Sequence, residues 1–316
     1  MAVLLARTAD RLLWGARYVE RAEDTARVVR AYNELVVDYP SQELLSWEPL
    51  AAIHGSSEHV KLAEDDPSGE RSVLTLLISD RDNPSSILSS VASARENLRT
   101  TREVMPREAW QAVNQLSQYV DATATAAVER QLRDRFLLRV IEVSRRLDGI
   151  LESTMSRGSS YRMLRLGRLI ERADMTTRVL GVAAAGILLG EDNDADEVVP
   201  SQIRWMSVLR SVSALQMYQR SDHGPIDGLA VVRFLLYWES FPRSVQGCLD
   251  EIRAVVNKLP RPDAVLDAVS RAEAVLAGAD PGNADAERLD RSMDQVQVAI
   301  SELAQAVHAT YVDSAL

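Results

Sequence analysis

Apolar residues recur three and four positions apart through Arg7–Asp38, Ser85–Glu103, Glu108–Gly149, Met163–Leu189 and Val231–Lys258, stretches rich in Ala, Leu, Arg and Glu. That period puts apolar side chains on one face of an α-helix, and Gly and Pro interrupt it little. The two-residue alternation of a β-strand is scarce, so the pattern predicts an all-α fold. Asn83-Pro84-Ser85-Ser86 reads as a helix start, with Asn as N-cap and Pro at the first helical position; Phe241 replaces that cap in a matching stretch further on. A polar break at Gly278–Gly282 precedes a final amphipathic helix from Ala284 to about Tyr311.

A longer period lies over the helical one. Arg17–Val28 returns as Arg168–Val179 with seven identical positions: Arg17/168, Glu20/171, Arg21/172, Ala22/173, Thr25/176, Arg27/178 and Val28/179. Trp47, Pro84, Ser86 and Arg95 match Trp205, Pro242, Ser244 and Arg253 in the same order. The spacing grows from 151 to 158 residues across the acidic segment Gly190–Glu197, which reads as a lengthened loop. Two related helical halves, 1–148 and 149–316, are expected to pack as one continuous bundle-like unit.

On a helix the first copy sends Trp14, Tyr18, Arg21, Thr25, Val28 and Tyr32 down one stripe, with Leu13, Arg17, Glu20, Asp24, Arg27 and Ala31 beside it. The second copy repeats Arg172 and Thr176 on the first line and Arg168, Glu171 and Arg178 on the other; Met175 replaces the charge of Asp24. Three readings stand side by side: an exposed ladder of ion pairs, a buried Glu–Arg network that fixes the halves together, or a ligand or catalytic site. In the last case Arg17, Arg21, Arg27, Arg168, Arg172 and Arg178 would grip a carboxylate or phosphate. Glu20 and Glu171 would orient them, or serve as general base if desolvation raises their pKa.

Composition narrows the partners. The 316-residue chain is 46% hydrophobic and 26% charged, with a formal net charge of −10. Such a balance suits a globular protein and argues against nucleic acid or an anionic membrane as the main partner. One cysteine, Cys248, excludes an intrachain disulfide; the absence of a secretory leader or spanning segment makes a soluble, cytoplasmic protein the expectation.

At the charged copies the sequence resembles the alpha-E family, bacterial helical proteins with a recurring Glu-Arg motif. Arg7-Thr8-Ala9-Asp10, Trp14, Arg17-Tyr18 and Glu20-Arg21-Ala22-Glu23 are similar to its first signature. Thr154-Met155-Ser156-Arg157, Gly167-Arg168 and Glu171-Arg172-Ala173-Asp174 are similar to its second. Asn83–Ser86 with Ala94–Asn97, and Pro242-Arg243-Ser244-Val245, are similar to two further segments, which adds Arg95, Arg243 and Ser244 to the candidate substrate-binding residues. Ala16 departs from the glycine usual there, whereas Gly167 keeps it. The resemblance implies a circularly permuted ATP-grasp protein as partner, with a transglutaminase-like protein and a peptide substrate nearby. It thus implies an accessory or second catalytic subunit of a peptide or amide ligase system. A stand-alone cofactor-free helical enzyme and a purely structural protein remain the alternatives.

No Gly-rich phosphate loop is present, so ATP and Mg are expected only on that partner and no cofactor on this chain. His54, His59, His223 and His308 are scattered and read as surface residues, and no metal site is expected. Cys248 reads as a packing residue, and Asp80-Arg81-Asp82 as helix-start electrostatics. Arg243 and Ser244, beside a helix start, could cradle an anion.

Overall fold

Two long helices form the axis of the molecule, α1 (Ala6–Asp38) and α7 (Ser159–Ala184). The computed structural model describes residues 4–38, 45–60, 66–184, 201–221, 224–279 and 286–313, and no strand lies among them. The first half adds α2 (Glu48–Ile53), α3 (Glu70–Leu74), α4 (Ile87–Arg99), α5 (Arg107–Thr123) and α6 (Arg130–Thr154). The second adds α8 (Ser201–Ser211), α9 (Leu215–Arg220), α10 (Gly228–Tyr237), α11 (Val245–Val256), α12 (Asp263–Gly278) and α13 (Ala286–Tyr311).

Around α1 pack α4, α6, α7 and α8; around α7 pack α11, α13 and α2, so the short helix of each half leans on the other half's axis. Surrounded on every side, α1 buries charged residues together with apolar ones. The axial helices run parallel and in register: Leu13 and Ala16 face Gly167, then Arg17 and Arg21 face Glu171, then Glu20 faces Arg172. Gly167 permits this approach, because a Cβ there would lie 2.2 Å from the Leu13 carbonyl oxygen and 3.2 Å from the Ala16 Cβ. With Gly167 providing the gap, Ala16 suffices where the first signature usually has glycine.

Several sequence expectations shift. Glu108–Gly149 is two helices, reversed through a 3-10 turn at Ala126–Val128. No Gly or Pro marks that reversal; Arg133, 2% exposed, fixes it by donating to the Val128 carbonyl, Asn33 and Glu70. Val231–Lys258 is likewise split between α10 and α11. Ser86, not Asn83, caps α4, accepting from the Ser89 N–H at 3.0 Å, while Asn83 ties the preceding turn to the Leu76 carbonyl. Ser244, not Phe241, caps α11 in the same way, accepting from the Gly247 N–H. These caps stand 158 residues apart, as do segments 70–79 and 228–237. Helix α6 runs unbroken through residues 148 and 149 and ends at Thr154. Gly190–Glu197, residues 185–189 and residues 280–285, on which other expectations fell, lie outside the described residues.

Two glycine substitutions should have opposite effects. Gly167→Ala drives a methyl into backbone and should destabilise by about 3 kcal/mol, read as a fall in the urea midpoint. Gly149→Ala meets nothing within 4 Å on helix α6 and should stabilise by about 0.5–1 kcal/mol.

Candidate functional site

Glu-Arg pairs from the axial helices exchange partners. Arg172 donates from Nε and Nη2 to the two carboxylate oxygens of Glu20, at 2.8 and 3.1 Å. Reciprocally, Arg21 and Arg17 of α1 donate from Nε to Glu171 of α7, at 2.5 and 2.8 Å. Thr25 and Thr176 turn their hydroxyls back to the Arg21 and Arg172 carbonyls, one turn earlier on their own helices, so neither disturbs the close packing.

The Glu20 side is closed. Arg243, from the link before α11, adds contacts to Glu20 at 2.8 Å, Asp24 at 3.1 Å and Glu23 at 3.3 Å. Arg27 holds Glu23 at 2.5 Å and also Asp24, and Arg168 pairs with Asp148. Glu20, Glu23, Asp24 and Arg27 are all buried, so the exposed-ladder reading fails. Burial alone would raise the Glu20 pKa; Arg172 and Arg243 overcome it and hold the carboxyl well below 4.5. Burial lowers the Arg27 pKa to about 9, with Arg243 pushing the same way. Glu20, Glu23 and Asp148 approach one another as metal ligands would, but each already has a guanidinium partner.

The Glu171 side is open. Arg17 and Arg21 use only Nε on Glu171, and their terminal nitrogens have no hydrogen-bond partner among the described residues. The two side chains are 15% and 18% exposed, against 9% for Arg172. Arg17 lies over the Trp14 ring and Arg21 over Tyr18, which stiffens both. Arg17 and Arg178 line a groove of about 560 Å³ between α1, α7 and α13, floored by Leu13 and Ile170. Burial raises and Arg21 and Arg17 lower the Glu171 pKa, with a net fall. Neither glutamate therefore has the raised pKa that a general base needs; both are fixed carboxylates that orient arginines.

One pair of substitutions explains the difference between the sides. At the repeat spacing Asp24 corresponds to Met175 and Arg243 to Ser85, so the partners that close one side are both missing from the other.

Other expected site residues lie elsewhere. Arg95 bonds Asn114 at 2.8 Å and stacks on Trp110, joining α4 to α5 away from the centre. Ser244 is fully buried, capping α11 and donating to the Trp238 and Phe241 carbonyls, so it cradles no anion; Arg243 spends its charge on internal acids. His54, expected on the surface, is buried with Nε2 unpartnered. Burial, then Arg178 and Arg21, lower its pKa to about 3. The two charged copies gave no sign of it, because it arrives from α2. Cys248 is buried, which pushes its thiol up to about 12 and keeps it inert.

The family described as a predicted alpha-helical domain with a conserved ER motif matches residues 4–312. The chain belongs to the alpha-E family. No curated protein and no solved structure matches it. No helix among the described residues of this alpha-E protein is long and apolar enough to cross a membrane.

Stability should fall in two stages on acidification. His54 is lowered from 6.5 to about 3, so its neutral form contributes fully above pH 6.5 and loses up to about 1.4 kcal/mol per pH unit below it. Glu20 and Glu171, lowered from 4.5, keep their contribution down to about that pH and lose it below. Chemical denaturation at stepped pH should show His54→Gln flattening the first stage alone. An unchanged slope between pH 6.5 and 4.5 in that variant would refute the assignment.

Proposed function

We propose that this protein is the subunit without an ATP site in a peptide or amide ligase system, holding a carboxylate or acyl phosphate for an ATP-grasp partner. The uncommitted ends of Arg17 and Arg21 carry the reading. Two guanidiniums share one carboxylate and are backed by aromatic rings, and Arg17 borders an open groove together with Arg178. Planar guanidinium donors suit a carboxylate or phosphate, and Glu171 holds them in place before the ligand arrives. ATP and Mg would be bound by the partner, and a transglutaminase-like protein would act on the same peptide.

The Glu20 side supports a second, structural role within the same molecule, since Arg172 and Arg243 are already engaged by its carboxylates. Calorimetry separates the two. The chain should bind a co-expressed circularly permuted ATP-grasp protein, or that protein's peptide substrate, with micromolar affinity. Arg17→Ala with Arg21→Ala should weaken binding about tenfold or more while circular dichroism keeps the helical signal. Failure to bind either molecule, or full binding by the double variant, would sink the proposal.

A further inference from the structure

A second opening lies beyond Arg27, away from Arg17 and Arg21. Segments from α1, α6, α8 and α9 border a groove of about 550 Å³ into which Arg27, Arg30, Arg145 and Arg210 project, with Glu34 as the acid on its wall. Glu34 is taken by Arg30 at 3.1 Å, and Arg30 also holds Asp134 at 2.8 Å. Arg27 forms the buried floor; its Nη nitrogens bind Glu23 and Asp24, and its Nε has no partner. Arg145 is 55% exposed, 3.5 Å from Glu23, and donates to the Ser213 hydroxyl at 2.9 Å. Arg210 has no acid partner among the described residues, and its carbonyl accepts from the Ser213 N–H at 2.9 Å. Ser213 thus meets the Arg145 side chain through its hydroxyl and the Arg210 backbone through its N–H, with a φ of 55°, a left-handed conformation that non-glycine residues seldom take.

The remaining wall is apolar. Leu138 and Met217 are 38% and 43% exposed beside the arginines. A free phosphate would gain nothing from them, whereas a ligand with apolar atoms next to its anion would bury both surfaces at once. On a chain of net charge −10, a local excess of guanidinium selects acidic ligands against the general repulsion. We propose that this groove binds an acidic peptide segment, with a carboxylate between Arg145 and Arg210 and a neighbouring apolar side chain on Leu138 and Met217. This site is separate from the Arg17–Arg21 opening and does not rest on the reading of that opening.

The test uses the full chain and three probes in calorimetry: a blocked Leu-Glu-Leu-Glu peptide, its Leu-Gln-Leu-Gln counterpart and inorganic phosphate. The acidic peptide should bind, and the glutamine peptide and phosphate should bind at least about tenfold more weakly. Arg210→Ala and Arg145→Ala should each weaken the acidic peptide about tenfold, with unchanged circular dichroism melts. Met217→Ser should weaken it by a smaller factor, reporting the apolar contact. No binding of the acidic peptide, equal binding of phosphate, or binding indifferent to Arg210→Ala and Arg145→Ala would overturn the proposal. Loss on Arg17→Ala alone would move the peptide to the other opening and equally overturn it.

Discussion

A carboxylate withdrawn from water must find cations, and Glu20 and Glu171 find theirs on the opposite axial helix. Each desolvated ion costs several kcal/mol, and the attraction offsets that only with several well-aligned hydrogen bonds. The parallel, in-register packing of α1 and α7 supplies them, and Gly167 sets the helices close enough for the side chains to meet. The surrounding helices then act as insulation. They keep water from the centre and leave the crossed pairs one low-energy arrangement.

The same geometry yields two different chemical environments. Where Arg243 and Asp24 are both present, the centre is closed and every carboxylate is engaged. Where Ser85 and Met175 stand instead, Arg17 and Arg21 keep unspent donors, and Arg17 lines a groove. An axis built from matched pairs can thus be rigid on one side and receptive on the other. The rigid side keeps the receptive arginines aligned at little further cost in conformational entropy.

Much of this was legible in the sequence. The three- and four-residue period gave α1 and α7 to within a few residues where described, and the repeated Arg17–Val28 segment pointed to Glu20, Arg21, Glu171 and Arg172. Helical spacing alone could not show which line of α1 faces inward, because from Thr25 and Asp24 onward both lines are buried once four helices surround it. Arg243, read in the sequence only as a cradle for an anion, and His54, read as a surface residue, reach the centre from links near α11 and α2, a matter of tertiary contact. Arg95 misled for the converse reason: it recurs as Arg253, yet both tie an outer helix to its neighbour, Arg95 to Asn114 and Arg253 to Glu273. Recurrence marks structural and receptive arginines alike, and only their partners tell them apart.

Coupling across the axis is the most direct test of the account. A double-mutant cycle on Glu20→Gln and Arg172→Met, followed by urea denaturation at pH 7, measures how far the two side chains depend on each other. The account predicts a coupling of about 2–3 kcal/mol, as contacting charges in a buried network give. A value under about 0.5 kcal/mol, the level of independent sites, would contradict it, because the helices would then be held by apolar packing alone.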